Sequence, residues 1–284
     1  MDARRGPTLR AQWLGQQLRD MREGAQLTLK DTGEYLQRDP STLSRMEAGV
    51  IPIRIVDTLA LMNLYGVHDE RVRQAIEQLA RDVWRTGWWE GYADHVAGSF
   101  IDHAWLEERA HTIRWFEALV VPGLLQTREY AEATIRAADG DAPADRIERW
   151  VEFRMARQEA LDRDEPPRLD VILDEAVLRR PVGGRSAMRA QLRHLVAGAD
   201  RPAVELRVLP FRAGAHASLD GAFTIFRLAD PFPDIAYTQT LAGEVYVESD
   251  GVRRFTAAYD RLREAALGPD ESTALISAAA KTLR

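Results

Sequence analysis

Hydrophobic and polar residues recur at helical spacing in two short runs inside residues 27–52. This stretch carries the clearest structural pattern of the chain. Thr28 is a suitable N-cap residue, and Asp31 follows it three positions later, in the first turn. The pattern therefore predicts a first short helix over residues 29–36.

A second short helix is predicted after a turn at Gln37 and Arg38. Asp39 is a suitable N-cap, and Pro40 fits the first helical position, where the missing N–H group costs nothing. Gly49 is expected to end this helix, because glycine readily takes the backbone conformation that terminates helices. Two short helices joined by a tight turn form a helix-turn-helix.

The two faces of this second helix differ in chemistry. Leu43 and Met46 lie three residues apart on one face, so they are expected to point into the core together with Leu36. The other face carries hydroxyls and a guanidinium, which can reach phosphates and base edges when a helix enters the major groove of DNA. The residues of this face are Ser41, Thr42, Ser44 and Arg45.

The segments around the helix-turn-helix predict further helices. Apolar spacing favours helices over residues 12–23 and 56–63, and a longer amphipathic helix that serves as a connector or as part of a dimer interface. Arg4, Arg5 and Arg10, at the start of the chain, are expected either to rest on a DNA backbone or to be solvated. The predicted organisation is a disordered arm over 1–11, a DNA-binding domain over 12–68, a connector helix over 69–85 and a second domain over 86–284.

The second domain combines helical and strand patterns. The spacing of Trp105, Ala110, Ile113 and Phe116 predicts a helix. Further helices are predicted near 127–134 and over 144–161, 186–197, 251–266 and 270–282. Segments rich in β-branched residues predict strands at 169–173, 204–209, 223–226, 235–239 and 244–247. The chain is therefore predicted to be α+β overall, an all-α N-terminal domain followed by a mixed α+β domain.

The motif Leu-Thr, helix, short turn, Pro-Ser-Thr-Leu-Ser-Arg-Met-Glu-x-Gly resembles the XRE family of phage-repressor-like DNA-binding domains over residues 12–67. The resemblance implies a lambda-repressor-like fold and binding to a double-stranded operator, usually as a homodimer. It also implies that Arg22 pairs with Glu47, locking the first helix to the end of the recognition helix.

This chain departs from the XRE pattern at two positions. The family often has Gln at the second position of the first motif helix, where this chain has Leu29, so Lys30 is expected to contact the phosphate instead. Gly33 replaces the usual Ala, which weakens the helix by roughly 1 kcal/mol. Thr28 and Arg38 complete the expected DNA contacts.

Composition narrows the class of protein. The chain has 284 residues and a net charge of -6, which argues against a nonspecific nucleic-acid coat but not against one basic face. It has no cysteine, which excludes disulfides and thiolate chemistry and fits a reducing cytoplasm. It also lacks a long apolar run, so no membrane insertion is expected. A cytoplasmic protein, associated with the nucleoid when bound to DNA, is predicted.

Aromatic residues are densest at the start of the second domain. The rings concerned are Trp88, Trp89, Tyr92, Trp105 and Trp115. One interpretation is a hydrophobic lid over the second core. The other is a ligand or partner surface, because Trp and Tyr are enriched among binding anchors.

The second domain also resembles a known family. Segments such as LVVPGLLQTREYA, LDEAVLRRPVGG and VLPFRAGAHASLDGAF occur in the order seen in actinobacterial WhiJ-like regulators, over residues 100–280. That resemblance implies a regulator of development or antibiotic production, partnered by a small BldB-like protein. A small-molecule-responsive repressor and an antitoxin-like component of a two-gene system are the alternatives.

No recognisable reaction centre is predicted. Asp174 and Glu175 with His194 and His216 contain the residue types of a carboxylate–histidine site, but the spacing matches no metal motif, and such acids more often cap helices. The chain is therefore predicted not to be an enzyme and to need neither cofactor nor metal.

Overall fold

The computed structural model describes residues 7–84, 88–92, 98–230, 232–241 and 243–283. The chain divides into two units, the first ending at His103 and the second beginning at Ala104. This boundary lies later than residue 86, where the sequence pattern placed the second domain.

Helices build the first unit. They are α1 (Leu9–Gly24), α2 (Leu29–Leu36), α3 (Pro40–Glu47), α4 (Ile55–Leu64) and α5 (Glu70–Trp84). Helix α1 begins earlier than predicted because the Thr8 hydroxyl caps it, accepting a hydrogen bond from the Ala11 N–H at 3.2 Å. Residues 9–11 are therefore buried helix and not part of a disordered arm.

Helices α1 and α3 are in close contact in the core of the first unit. Trp13, Leu14 and Leu18 of α1 are buried, as their helical spacing predicted. A Cβ added at Gly15 would lie 2.4 Å from the carbonyl oxygen of Glu47. Glycine at this position therefore permits the close contact between α1 and the end of α3.

The second unit contains a mixed sheet. Its described strands are β1 (Thr112–Glu117), β2 (Arg168–Asp174), β3 (Val204–Leu209), β4 (Phe223–Arg227), β5 (Ile235–Thr240) and β6 (Gly243–Glu248). They lie in the order β3-β2-β1-β4-β5-β6, with β1, β2 and β3 parallel and the others antiparallel. The five strands predicted from sequence are all present, and the α+β fold class is confirmed.

The prediction of a helix running through Ile113 and Phe116 is wrong. Helix α6 (Gly98–Arg109) ends before them, and they lie in β1, a central strand paired with β2 and β4. Ile113 and Phe116 are both fully buried although they lie on opposite faces of the strand. A strand buried on both faces lacks the polar alternation that distinguishes it from a helix in sequence.

Helices form the connections between the parallel strands, and one helix also lies against an edge of the sheet. They are α7 (Arg128–Ala138), α8 (Ala144–Arg157), α9 (Glu175–Arg179), α10 (Gly184–Gly198), α11 (Val252–Ala265) and α12 (Pro269–Thr282). The Ser272 hydroxyl of α12 accepts a hydrogen bond from the Val208 N–H of edge strand β3 at 2.9 Å. This contact satisfies a donor that an open edge would expose. No described helix is long and apolar enough to cross a bilayer.

Candidate nucleic-acid interface

Local caps fix the two motif helices at the predicted positions. At the start of α2, the Thr28 N–H donates to the Asp31 carboxylate at 2.9 Å, and the Asp31 N–H donates to the Thr28 hydroxyl at 3.2 Å. At the start of α3, Asp39 accepts from the Thr42 N–H at 2.9 Å, and Pro40 occupies the first helical position. Capping satisfies backbone donors that each helix would otherwise leave unpaired.

The turn between α2 and α3 explains why Gly33 is present, although helix propensity alone makes glycine unfavourable inside α2. Gln37 takes a left-handed conformation, with φ of 53°, and the Arg38 N–H donates to the Gly33 carbonyl at 2.8 Å. A Cβ added at Gly33 would lie 2.6 Å from the carbonyl oxygen of Arg38. The close turn therefore has no room for alanine, and Gly33 allows the geometry of the motif.

Helix α3 separates its core residues from its candidate DNA-reading residues. Leu43 and Met46 are buried, as predicted, whereas Leu36 is partly exposed. The opposite face is open to solvent, with Thr42 half-buried beside it. The exposed residues of that face are Ser41, Ser44 and Arg45.

The hydroxyls at the start of α3 are oriented by the capping carboxylate. The Ser41 and Thr42 hydroxyls donate to Asp39 at 2.5 and 2.6 Å. These bonds, together with the one from the Thr42 N–H, hold the pKa of Asp39 well below its ordinary value, so the carboxylate is charged at neutral pH. Because each hydroxyl proton points at Asp39, Ser41 and Thr42 present acceptor lone pairs to an approaching ligand.

Cations flank this face. Arg45 lies along α3, with its guanidinium 3.4 Å from the Ser41 carbonyl and 3.4 Å from the Thr42 hydroxyl, distances at the outer limit for a hydrogen bond. Within the described residues, neither Arg45 nor Arg38 makes an ion pair, and both are exposed. Lys30 lies 3.9 Å from Glu34, an exposed pair that costs little to break.

An ion pair joins the recognition helix to α1. Arg22 donates to both carboxylate oxygens of Glu47, at 2.6 and 3.0 Å, and to the Leu27 carbonyl at 2.8 Å. The hydrogen bond to Glu47 is the main cause of the raised pKa of Arg22. Both side chains are buried, so this pair holds α3 on its core side and is not part of its outer, solvent-exposed face.

Arg10 does not extend toward DNA as part of a basic arm. It is buried, donates to the Asp82 carbonyl at 2.9 Å and lies 3.6 Å from the Asp102 carboxylate. Its guanidinium also lies 5.7 Å from the centre of the Trp89 ring. These contacts hold the start of α1 inside the first unit; Arg4 and Arg5 lie outside the described residues.

The proposed aromatic surface is largely core. Trp89, Trp105 and Trp115 are exposed by only 2%, 4% and 6%. Trp88 remains 37% exposed, and Tyr92 is half-buried beside it, with ring centres 6.2 Å apart. Trp88, Trp89 and Tyr92 belong to the first unit, whereas Trp105 and Trp115 belong to the second. Of the five rings, Trp88 and Tyr92 therefore keep the exposed area that a partner surface would use.

Residues considered for catalysis have structural roles or lie apart. Asp174 caps α9, accepting a backbone N–H at 2.7 Å, and Glu175 pairs with Arg179 at 2.6 Å. His216 contacts a phenylalanine of the core, and burial lowers the pKa of His194. Among the described residues no group of three His, Asp or Glu side chains is arranged to hold a metal ion.

Sequence patterns missed a polar cluster in the second unit, in which Glu107 and Arg157 are buried and Glu117 and Arg154 are half-buried. Arg157 donates to both carboxylate oxygens of Glu107, at 2.8 and 2.5 Å. Arg154, whose pKa burial lowers to about 10, donates to Gln126 at 3.0 Å. Burial raises the pKa of Glu117 to about 8, although the Trp115 indole N–H donates to its carboxylate at 3.1 Å. The spacing of Arg154 and Arg157 on α8 is that of an exposed helix face, so the sequence does not predict that they are shielded from solvent.

The fold and the exposed face of α3 define a helix-turn-helix DNA-binding regulator. Residues 13–75 match the model of a family described as a helix-turn-helix domain. Residues 100–278 match the family described as domain of unknown function (DUF5753), and because this match covers more than half of the chain, the chain belongs to that family. No curated protein and no solved structure matches the chain. The helix-turn-helix match points to a regulator rather than an enzyme.

Proposed function

We propose that the protein is a sequence-specific transcription regulator that inserts α3 into the major groove of its operator. The observation that carries this proposal is the outer face of α3, where Ser41, Ser44 and Arg45 are exposed while Leu43 and Met46 anchor the helix in the core. This is the division of faces that a recognition helix needs.

The orientation of each side chain supports a distinct role in binding. Arg45 is suited to donate to the O6 and N7 atoms of guanine, the commonest specific contact of arginine. Ser41 and Thr42 present acceptors, which suit the amino group of adenine or cytosine better than a phosphate. Lys30 and Arg38 are suited to phosphates, which position the protein without reading sequence.

Two remaining residues of the predicted interface have supporting roles. Thr28 is engaged in the cap of α2, so we assign its effect on binding to the stability of that helix. Ser44 is exposed in the middle of α3, where its hydroxyl is suited to a base edge or a phosphate.

The test begins with an operator selected from random duplex DNA by the full-length protein. Arg45→Ala should cost about 1–3 kcal/mol at one base position and relax preference there, whereas Arg38→Ala should weaken all sequences alike. Arg149→Ala, an exposed arginine of the second unit, is the matched control and should leave affinity unchanged. A folded Arg45→Ala protein that binds its operator as tightly as the parent would refute this assignment of α3.

We also propose that the second unit receives a signal for development or secondary metabolism from a small BldB-like protein. The WhiJ-like resemblance of residues 100–280 supports this partner. Adding the purified small BldB-like protein should change operator affinity by roughly 5–150-fold, the usual range of allosteric coupling. Unchanged operator affinity at saturating partner would remove this part of the proposal and leave a small-molecule effector or an antitoxin-like pair as its replacement.

The proposed regulator acts as a homodimer in the cytoplasm, associated with the nucleoid when bound. Helix-turn-helix dimers bind half-sites about one helical turn apart, so the selected operator should show two related half-sites with that spacing.

A further inference from the structure

Helices α10 and α12 lie side by side in the second unit and run in opposite directions. One groove, of about 450 Å³, is lined by the middle of α10 and the last turns of α12. A second groove, of about 490 Å³, is lined by the residues that follow α10 and by the first turn of α12. The two grooves therefore lie at opposite ends of the same helix pair.

The first groove is basic. Arg189 and Arg193 of α10 and Lys281 of α12 line it, together with small and apolar residues, and among the described residues that line it none is acidic. Arg193 and Lys281 are exposed and Arg189 is half-buried. In the part of the chain that the structure describes, none of the three makes an ion pair, although the whole chain carries a net charge of -6.

The second groove is acidic. Asp200 just after α10 and Asp270 in the first turn of α12 are exposed, and neither makes an ion pair with a described residue. Glu205 also lines this groove, but its carboxylate is paired with arginines, among them Arg168 at 2.9 Å. The charges that remain available at this end are those of Asp200 and Asp270.

Helical spacing and the groove linings place these charges on one continuous face. On α10 the positions 189, 193 and 196 follow steps of four and three residues, and on α12 the positions 270, 273, 277 and 281 follow similar steps. Residues at such steps share one side of a helix. Asp200 lies in the turn just after α10 and lines the second groove beside Asp270. The outer face of the α10–α12 pair is thus positive at one end and negative at the other.

We propose that this face, which we call the α10–α12 face, is a surface through which two copies of the chain associate. With a twofold axis that crosses both helices at the level of Val196 and Ser277, α10 of each copy lies antiparallel over α10 of the other, and α12 lies antiparallel over α12. Arg189 and Arg193 then meet Asp200 of the second copy, and Lys281 meets Asp270 of the second copy. Every contact occurs twice, as an interface with twofold symmetry requires.

The charge pattern favours a second copy over an unrelated acidic protein. An acidic partner would be attracted by the basic groove but repelled by Asp200 and Asp270 on the same face. The reversed face of another copy matches both ends at once. Complementary potentials of this kind suppress wrong partners and fix the register of association.

The size of the face predicts a weak, salt-sensitive dimer. Each helix is about 20 Å long and adjacent helices lie about 10 Å apart, so the face measures about 20 by 20 Å. About 800 Å² would be buried over both copies, below the roughly 1,200 Å² of stable interfaces. Binding of both copies to one operator raises their effective concentration and would complete the association.

The experiment measures association of the full-length chain by sedimentation velocity without DNA. The parent protein should dimerise at micromolar to tens of micromolar concentration in low salt, and its Kd should rise about tenfold or more as salt screens the charges. Arg189→Glu with Arg193→Glu and Lys281→Glu places acid against acid, and Asp200→Arg with Asp270→Arg places base against base. Each variant alone should therefore be monomeric.

Mixing the two variants is the decisive step, because a heterodimer restores opposite charges at both ends of the face. Dimer in the mixture, with monomer in each variant alone, supports the proposal, and circular dichroism of the separate variants shows whether they fold. A dimer that persists in the variants, a mixture that stays monomeric, or a parent protein that never self-associates would overturn it. The proposal rests on the dimeric regulator proposed above, but because this test uses no operator, its failure leaves the DNA-binding test standing on its own.

Discussion

At the scale of single residues, Gly33 shows how structure changes the meaning of a sequence departure. Helix propensity alone makes this glycine a defect in α2, worth roughly 1 kcal/mol relative to alanine. The turn carbonyl of Arg38, however, occupies the space that a Cβ would need. A propensity scale describes one helix at a time, whereas the cost of a methyl group here comes from the chain that follows the helix.

We predict that Gly33→Ala destabilises the protein by about 1–3 kcal/mol, because overpacking at the turn outweighs the gain in helix propensity. Gly24→Ala is the matched control, since a Cβ there meets nothing within 4 Å. The control should raise stability by up to about 1 kcal/mol. Chemical denaturation of both variants measures the difference, and a stabilising Gly33→Ala would show that the turn relaxes freely.

Glu117 makes stability depend on pH. Its carboxyl has an ordinary pKa of 4.5 and a pKa of about 8 in the fold, because burial disfavours the charged form. Between these values the folded protein holds a proton that the unfolded chain has lost, so the free energy of unfolding falls as pH rises.

Glu117→Gln cannot ionise and keeps an oxygen that can accept from Trp115. We expect it to stabilise the protein by about 2–4 kcal/mol more at pH 8 than at pH 5. Glu152→Gln on the same unit is the control, because that side chain lies at the surface with 38% of its area exposed. Thermal unfolding at both pH values tests this, and an equal effect of Glu117→Gln at the two values would contradict it.

Residue roles were predictable where the signal is local. Thr28, Asp39 and Pro40 mark helix starts within three or four positions, and the structure has α2 and α3 at the predicted residues. Arg10 was misjudged, because its partners Asp82 and Asp102 lie far away in sequence. No residue near Arg10 in sequence indicates that it is buried.

At the scale of elements, the attachment of α3 to α1 sets the position of the proposed DNA-reading face. The Arg22–Glu47 pair lies between these helices and is buried with both carboxylate oxygens engaged. Removing one partner leaves an uncompensated charge, whereas replacing both can be nearly neutral.

We predict that Glu47→Leu destabilises the first unit by about 3–5 kcal/mol and that Arg22→Met combined with Glu47→Leu recovers much of the loss. Arg19→Ala, which removes an exposed pair on the same helix, should cost less than about 1 kcal/mol. Denaturant unfolding of the parent, Arg22→Met, Glu47→Leu and the double variant measures the coupling between the two residues, with Arg19→Ala as the control. A double variant no more stable than Glu47→Leu alone would show that the pair also specifies the packing.

Elements differed in how well sequence predicted them. Strands β2 to β6 follow Pro, Gly or Asp boundaries and were predicted, but β1 was not, because Ile113, Trp115 and Phe116 continue the apolar spacing of α6. The strand is recognisable only through its partners β2 and β4, which lie much later in the chain. Pairing with distant segments is information that a local window does not contain.

At the scale of the whole molecule, an acidic chain carries exposed cations on its proposed DNA-binding helices. The net charge is -6, while the helix-turn-helix exposes Lys30, Arg38 and Arg45. Two proposed phosphate contacts, Lys30 and Arg38, on each of two heads predict a slope of log affinity against log salt of about -4. Fluorescence anisotropy of the full-length protein over a salt series measures this slope. A slope steeper than about -8 would mean that cations outside α2 and α3 also contact the DNA.

The position of β1 has a consequence for how the protein is made. Strand β1 pairs with β4, which leaves the ribosome about 110 residues later, whereas the first unit is complete before β1 appears. At about 5–20 residues per second, β1 waits roughly 5–20 s for this neighbour. The DNA-binding unit can therefore fold while Trp115 and Phe116 are still uncovered on the nascent chain. Slow codons between β1 and β4 would lengthen that interval and, with it, the need for a chaperone.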